Sequence, residues 1–262
     1  MRLAVVGRGA EHDLVPTLLA AGVRGSDQKV QVLAFTVEQE EFAECVGHLS
    51  GAGFRGIFVG NPHKPMAAKL ASRFFVVKHA LGVANALMLG PEIYAQNTEV
   101  PAFVQCISGV EPGTALVMGS GRAARSVVMG LFELGWQVKL WNRNALRSRP
   151  FLTLFARYGN IEMSPQADPS GCKLVVNATP LGAKAGEMPP VQWTRAWPHT
   201  VAVDLVFRKV ATEFLREAAN RGFRTVDGRE LLVEQAALCL EWWTGKAASR
   251  AAMREAADLP SQ

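Results

Sequence analysis

The sequence predicts an α/β protein of two domains, and three observations carry that reading. Short apolar strands alternate with helical segments through the first seventy residues. The same alternation restarts near residue 115, and the join between the two runs, ISGVEPG at 107–113, is a turn-rich stretch. Repeated β-α-β order implies mostly parallel sheets covered by helices. The expected boundaries are a first domain over residues 1–106, completed by a C-terminal helix at 238–262, and a second domain over 107–237.

The elements follow in order. RLAVVG (2–7) is a strand with a glycine exit, PTLLAAG (16–22) a short helix, and KVQVLAFTV (29–37) a second strand. Phe42, Cys45, Val46 and Leu49 recur at i, i+3, i+4 and i+7, one face of a helix, and Gly51 and Gly53 end it. GIFVG (56–60) is a buried strand. NPHKPMAAKLA opens the next helix, with Pro62 and Pro65 near its start. In the second run, ALVMG (115–119), QVKLWN (137–142), KLVVNAT (173–179) and VAVDLVF (201–207) read as strands, with FRTVDG (223–228) a shorter one. A helix starts near residue 121 and stops at Gly135, and a long apolar one runs over about 230–245.

Composition narrows the function. Hydrophobic residues make up 49% and charged residues 19% of 262, ample for a core. No apolar run reaches the length of a membrane span, and MRLAVVGRG is too short and too soon polar for an export signal. Cys45, Cys106, Cys172 and Cys239 are far apart and form no CxxC pair, so they read as reduced cytoplasmic thiols and not as a metal site. The net charge of +5 is spread along the chain, which argues against nucleic acid and suits an anionic small molecule. The densest basic group is Arg143, Arg147 and Arg149.

That group follows the most informative motif. Gly119, Gly121 and Ala124 fit G-x-G-x-x-A between a strand and a helix. The first glycine permits a tight turn, the second lets the backbone approach a pyrophosphate, and the small third residue lets helix and strand pack closely. The helix N-terminus supplies free N–H groups for the phosphates. This is a Rossmann-type dinucleotide site. An NAD site places Asp or Glu at the end of the second strand to bond the ribose hydroxyls. Here Asn142, Arg143 and Asn144 stand there, with Arg147 one turn on. A guanidinium can grip a 2′-phosphate with two bonds, each charge-assisted bond worth about 1.5–3 kcal/mol, so the expected cofactor is NADP.

The motifs NPHK (61–64), GVANAL (82–87), QNTE (96–99), GSGRAA (119–124), WNR (141–143), NATPLG (177–182), DLVF (204–207), TVDGRELLVEQAA (225–237) and WWTG (242–245) resemble, in this order, the shikimate dehydrogenase family. The resemblance covers nearly the whole chain. It implies an N-terminal α/β substrate domain, a Rossmann-type NADP domain with a cleft between them, and reversible hydride transfer between NADPH and 3-dehydroshikimate to give shikimate. The family's catalytic lysine falls on Lys64 and its partner carboxylate, normally Asp, on Glu99. Its substrate-binding Asn and Gln fall on Asn85 and Gln235. The cofactor positions fall on Gly119, Ser120, Gly121, Arg122, Ala123, Asn142, Arg143, Arg147, Ala178, Thr179, Leu205 and Gly228.

The match is uneven on the substrate side. The serine pair that holds the shikimate carboxylate in the family falls on Asp13 and Val15, its Thr before PHK on Gly60, and the Tyr ending its D-L-V-Y on Phe207. Asp13 facing a carboxylate at about 4 Å would cost about 1 kcal/mol in water and about 4 at an effective dielectric of 20. Either the substrate carboxylate sits elsewhere, near Arg8, or the substrate carries a donor at that end. Asp13 could equally cap the helix that follows. The chemistry is clearer. Hydride addition to a ketone builds negative charge on oxygen, and a lysine steadied by a carboxylate can supply the proton.

Three readings follow from these residues: an NADP-dependent dehydrogenase acting on shikimate; the same chemistry on another cyclic polyol, such as quinate or an amino analogue; and a non-catalytic NADP-binding module. Retention of Lys64 with an acid at Glu99 speaks against the last. The expected partner is a small cyclic polyol, with no nucleic acid and no membrane, on a monomer or homodimer.

Overall fold

The computed structural model describes residues 1–8, 14–74 and 81–260, so Asp13 lies outside the described residues. The chain divides into two compact units, Met1–Ala102 with Leu232–Gln262, and Phe103–Leu231. Among the described residues no helix is long and apolar enough to cross a membrane.

The first unit carries β1 (Arg2–Val6), β2 (Gln31–Phe35), β3 (Phe54–Val59), β4 (Arg73–Phe74), β5 (Ala86–Met88) and β6 (Tyr94–Gln96) in one sheet, ordered β2-β1-β3-β5-β6-β4. The β-α-β start produces the expected parallel pairs, β1 with β2 and β1 with β3. The sheet then turns mixed, because β5 runs antiparallel to both β3 and β6. Only five residues, LGPEI, join β5 to β6. A connection that short can return a strand antiparallel, whereas a parallel return needs a crossover of a dozen residues or more.

Helix α1 (Val15–Gly22) packs on this sheet, and α2 (Phe42–Gly51) buries Phe42, Val46 and Leu49, the stripe its periodicity announced. Helix α3 (Lys64–Leu70) starts at Lys64 with a proline in its first turn, and α4 (Glu99–Cys106) starts at Glu99. The long helix α8 (Gly228–Thr244) and the last helix α9 (Arg250–Ala256) complete the first unit's core. Val233, Ala236, Ala237, Leu240 and Met253 join Leu3, Val5, Leu18 and Leu19 in one apolar cluster. Trp243 is fixed by two features. Its Nε1 donates to the Leu87 carbonyl at 2.9 Å, and its ring fills the space beside Gly56, where a Cβ would lie 2.5 Å away. Arg250 ties α9 to α8 through Glu234 (2.8 Å) and Glu241 (2.5 Å).

The second unit holds β7 (Thr114–Met118), β8 (Gln137–Trp141), β9 (Ile161–Met163), β10 (Leu174–Asn177), β11 (Val201–Asp204) and β12 (Arg224–Val226), with α5 (Arg122–Glu133), α6 (Ala145–Phe155) and α7 (Glu213–Ala219). All five strand pairings are parallel and the order is β12-β11-β10-β7-β8-β9. The chain starts at the centre, winds outward to β9, and returns to the other side of β7 with β10. Strand order therefore reverses between β7 and β10, and the loops after those two strands border the crevice where open α/β sheets bind ligands.

Candidate functional site

A cavity of about 430 Å³ opens at that reversal. The glycine turn (Gly119, Ser120, Gly121) forms one wall and the loop after β10 (Ala178 to Leu181) the opposite one. The end of β8 and the start of α6, with Asn142, Arg143 and Arg147, close the third side. The glycines are there for steric reasons. Gly119 has φ +103° and a Cβ on it would lie 2.7 Å from the Ala178 carbonyl oxygen, so no side chain fits. Gly121 precedes α5 with open space where its Cβ would point. That bare approach to a helix N-terminus is what a pyrophosphate needs.

The polar groups around the turn are already ordered. Asn142 donates to the Ser120 hydroxyl at 2.8 Å, Ser148 reaches the same hydroxyl at 3.0 Å, and Asn142 Oδ1 accepts from the Asn144 N–H. Asn144 in turn caps α6 by accepting from the Arg147 N–H. Arg143 and Arg147 are exposed, and among the described residues neither guanidinium has a hydrogen-bonding or ion-pair partner. Two free guanidinium groups with no carboxylate lining the cavity match a ribose that carries a phosphate.

Eight of the twelve cofactor positions implied by the resemblance line this cavity. Arg122 and Ala123 do not; they are exposed at the start of α5. Leu205 and Gly228 do not line it either, and they serve the loops behind it. Leu205 donates its N–H to the Asn177 carbonyl, and a Cβ on Gly228 would lie 2.6 Å from the Val206 carbonyl oxygen. Trp141, Asn144, Pro180 and Leu181 also line the cavity. Trp141 belongs to WNR, and Pro180 and Leu181 to NATPLG, but nothing in their residue types marks them as wall.

In the first unit Lys64 and Glu99 meet. Nζ of Lys64 donates to Glu99 Oε1 at 2.5 Å, and the side chains are only 17% and 14% exposed. Both sit at helix starts. The first turn of α4 is capped by Asn97, whose Oδ1 accepts from the N–H groups of Glu99 (2.9 Å) and Val100 (3.3 Å). The extra methylene of Glu relative to Asp does not prevent the contact. His63, next to Lys64, is fully buried, stacks on Phe42 at 4.7 Å and places Nε2 3.0 Å from the Val37 carbonyl. Burial holds its pKa below the ordinary histidine value. A neutral, packed imidazole of this kind serves the local structure.

The other substrate positions behave differently from a row of direct contacts. Asn85 is 0% exposed and its amide is engaged at both ends by Thr98: Nδ2 donates to Oγ1 at 2.8 Å and Oδ1 accepts from the backbone N–H at 2.7 Å. Thr98 Oγ1 also reaches the Gln235 carbonyl at 3.2 Å. Asn85 therefore fixes the residue immediately before Glu99. Gln235 is half-buried on α8. Val15 is 0% exposed inside the apolar cluster with Leu3 and Leu18, so its side chain supplies packing and offers no polar group. Arg8 is bonded to Glu38 at 2.8 Å with both side chains largely exposed. Phe207 is 45% exposed.

A shikimate dehydrogenase (NADP(+)) from Methylobacterium radiotolerans is 35% identical over 265 residues, covering 93% of this chain and 91% of its own. The chain belongs to the shikimate dehydrogenase family. A family model for the shikimate 5'-dehydrogenase C-terminal domain matches residues 228–257, the length of α8 and α9. The crystal structure of the family member from Thermus thermophilus, in complex with NADP(H) and shikimate, superposes with a TM-score of 0.89 at 28% identity, over 98% of each chain. The ligand-free 5-ketofructose reductase of a Gluconobacter strain shares the fold, with a TM-score of 0.91 at 20% identity and 98% of each chain covered.

Proposed function

We propose that this protein is an NADP-dependent dehydrogenase that interconverts shikimate and 3-dehydroshikimate. The observation that carries the reading is the Lys64–Glu99 pair at 2.5 Å in the first unit, present in the same chain as a complete glycine-turn cavity in the second. The unit Phe103–Leu231 is the NADP domain. Its residues fit the cofactor: the glycine turn leaves room for the pyrophosphate, and Arg143 and Arg147 offer free guanidinium groups to the 2′-phosphate. NADPH, when bound, supplies the hydride that reduces the ketone carbon.

The chain's own residues do the rest. As the carbonyl oxygen gains negative charge, Lys64 donates a proton from Nζ to it, forming the O–H bond of the product alcohol. In the reverse direction Lys64 takes that proton back. Glu99 holds the ammonium in place and balances its charge, and a positioned general acid of this kind contributes about 10²–10⁴-fold in rate. Asn97 and Asn85 keep Glu99 aimed by fixing the start of α4.

A second reading, the same chemistry on a different cyclic polyol, is favoured by Val15, which lies in the apolar core at a position where the resemblance implies a carboxylate-binding serine. The test is reduction of NADP⁺ by the purified protein with shikimate, quinate and polyols that lack a carboxylate. Turnover on shikimate is the expected result. Turnover only on a polyol without the carboxylate would establish the second reading, and tight NADPH binding without turnover on any polyol would overturn both.

A further inference from the structure

The buried polar cluster at the ends of β10 and β11 is unusually complete. Asn177, the last residue of β10, is 0% exposed and uses its whole side-chain capacity. Nδ2 donates to the Leu181 carbonyl and to Asp204 Oδ1, both at 2.9 Å. Oδ1 accepts from the Thr179 hydroxyl at 2.7 Å and from the Thr179 N–H at 3.1 Å. Thr179 Oγ1 accepts in turn from the Leu181 N–H. One amide thus determines the path of the loop 178–181, which is a wall of the cofactor cavity.

Asp204, the last residue of β11 and also 0% exposed, anchors that amide from behind. Besides Asn177, its Oδ1 accepts from the Val206 N–H at 3.0 Å, and its Oδ2 accepts from the Thr212 hydroxyl at 2.5 Å. Thr212 caps α7. The loop so held presses on the glycine turn, because the Ala178 carbonyl occupies the space a Cβ on Gly119 would need.

We propose that Asn177 and Asp204 are positioning residues for the cofactor: a buried amide–carboxylate clamp that sets the loop 178–181 against the glycine turn before NADP binds. The proposal rests on reading the cavity as the cofactor site. It explains why so many hydrogen bonds are concentrated behind one loop. A wall fixed in advance need not be ordered on binding, so its rigidity adds to affinity.

The test measures NADPH affinity by calorimetry, and kcat at saturating cofactor, for the wild-type protein and three variants. Asp204→Ala is expected to bind NADPH about tenfold to a hundredfold more weakly, because it leaves the buried donors of Asn177, Val206 and Thr212 unpaired and the loop unfixed. Its kcat at saturation should stay within about threefold, since Lys64 and Glu99 are untouched. Asp204→Asn keeps acceptors for Asn177 and Val206 and should restore most of the affinity. Asn177→Asp places two carboxylates in contact. They can sit together only by sharing a proton, so NADPH affinity should be near normal in acid and fall as the pH rises and the proton is lost. The charge that acts on Asp204 is Asp227, itself paired with Arg229, and Arg208 bonds the Gly182 carbonyl just beyond the loop. If Asp204→Ala fails to fold, the reversible titration of Asn177→Asp decides the matter. Wild-type affinity in Asp204→Ala, or a flat pH profile in Asn177→Asp, overturns the clamp and leaves the function standing. A wild-type protein that binds no NADPH overturns the function itself.

Discussion

The two units solve the problem of holding a ligand in opposite ways. In Phe103–Leu231 the contact surface is backbone and exposed cations: a glycine turn without side chains, a fixed loop, and two arginines that no internal partner among the described residues restrains. In Met1–Ala102 with Leu232–Gln262 the proposed chemistry rests on nearly buried side chains that are already committed to each other, Lys64 to Glu99 and Asn85 to Thr98. The first arrangement suits a ligand common to many enzymes, because phosphates are recognised by N–H groups and charge wherever they occur. The second suits one reaction, because a proton must leave one atom in one direction. Substitutions in the second unit should therefore alter binding and leave chemistry, while those at the lysine pair should do the reverse.

Lys64→Ala breaks the comparison most severely. Its kcat should fall about a thousandfold, the middle of the range for a lost general acid, while calorimetry finds NADPH affinity within about twofold of wild type. A variant retaining most of its turnover would remove Lys64 from the mechanism. The double variant Arg143→Ala/Arg147→Ala should do the opposite. NADPH should bind about a hundredfold more weakly, NADH should be almost unaffected, and kcat at saturation should hold.

A third prediction concerns pH and stability. Burial pushes Asp204 up to about 6, with Asp227 adding to the effect, although the donors Thr212, Val206 and Asn177 pull the other way. A carboxyl with a raised folded-state pKa binds its proton more tightly folded than unfolded. Its contribution is therefore most favourable below its ordinary pKa near 4, and is lost as the pH climbs to about 6. The loss is about 3 kcal/mol, from 1.36 kcal/mol for each pKa unit. Urea unfolding of cofactor-free protein at several pH values should show that decline in the wild type and not in Asp204→Asn; parallel curves would refute the assignment. The smallest effect is expected at Phe207, where the family resemblance implies Tyr. Phe207→Tyr should lower the KM for shikimate about threefold, the worth of one modest hydrogen bond, and an unchanged KM would sharpen the case for another polyol.

The same contrast explains what the sequence revealed. Five of the six strands of the second unit are legible because each lies in an apolar stretch that ends in glycine or a polar turn, and the cavity follows from Gly119, Gly121 and the missing acid at 142–144. Strands β5, β6 and β9 escape because three residues with no long apolar flank carry no period, and α6 because Pro150 stands in its interior. In the first unit the Lys64–Glu99 pair was suggested by resemblance, since no spacing rule joins residues thirty-five positions apart. The resemblance marks Asn85 as a substrate position, and its residue type carries no sign of a structural partner. Three-dimensional placement adds that Thr98 bonds both ends of its amide, one N–H and one lone pair, which ties it to the start of α4 as well. Asn177 and Asp204 read as ends of strands for the same reason: a buried clamp has no signature along the chain.

The central claim is that an arginine-gripped, phosphate-bearing cofactor works with the proton of Lys64. It is tested most directly by kcat/KM for NADP⁺ against NAD⁺ with shikimate as the saturating alcohol. The account predicts reduction of NADP⁺ with at least about a tenfold preference over NAD⁺, most of it erased in Arg143→Ala/Arg147→Ala. Equal use of both dinucleotides, or reduction of neither, would contradict it.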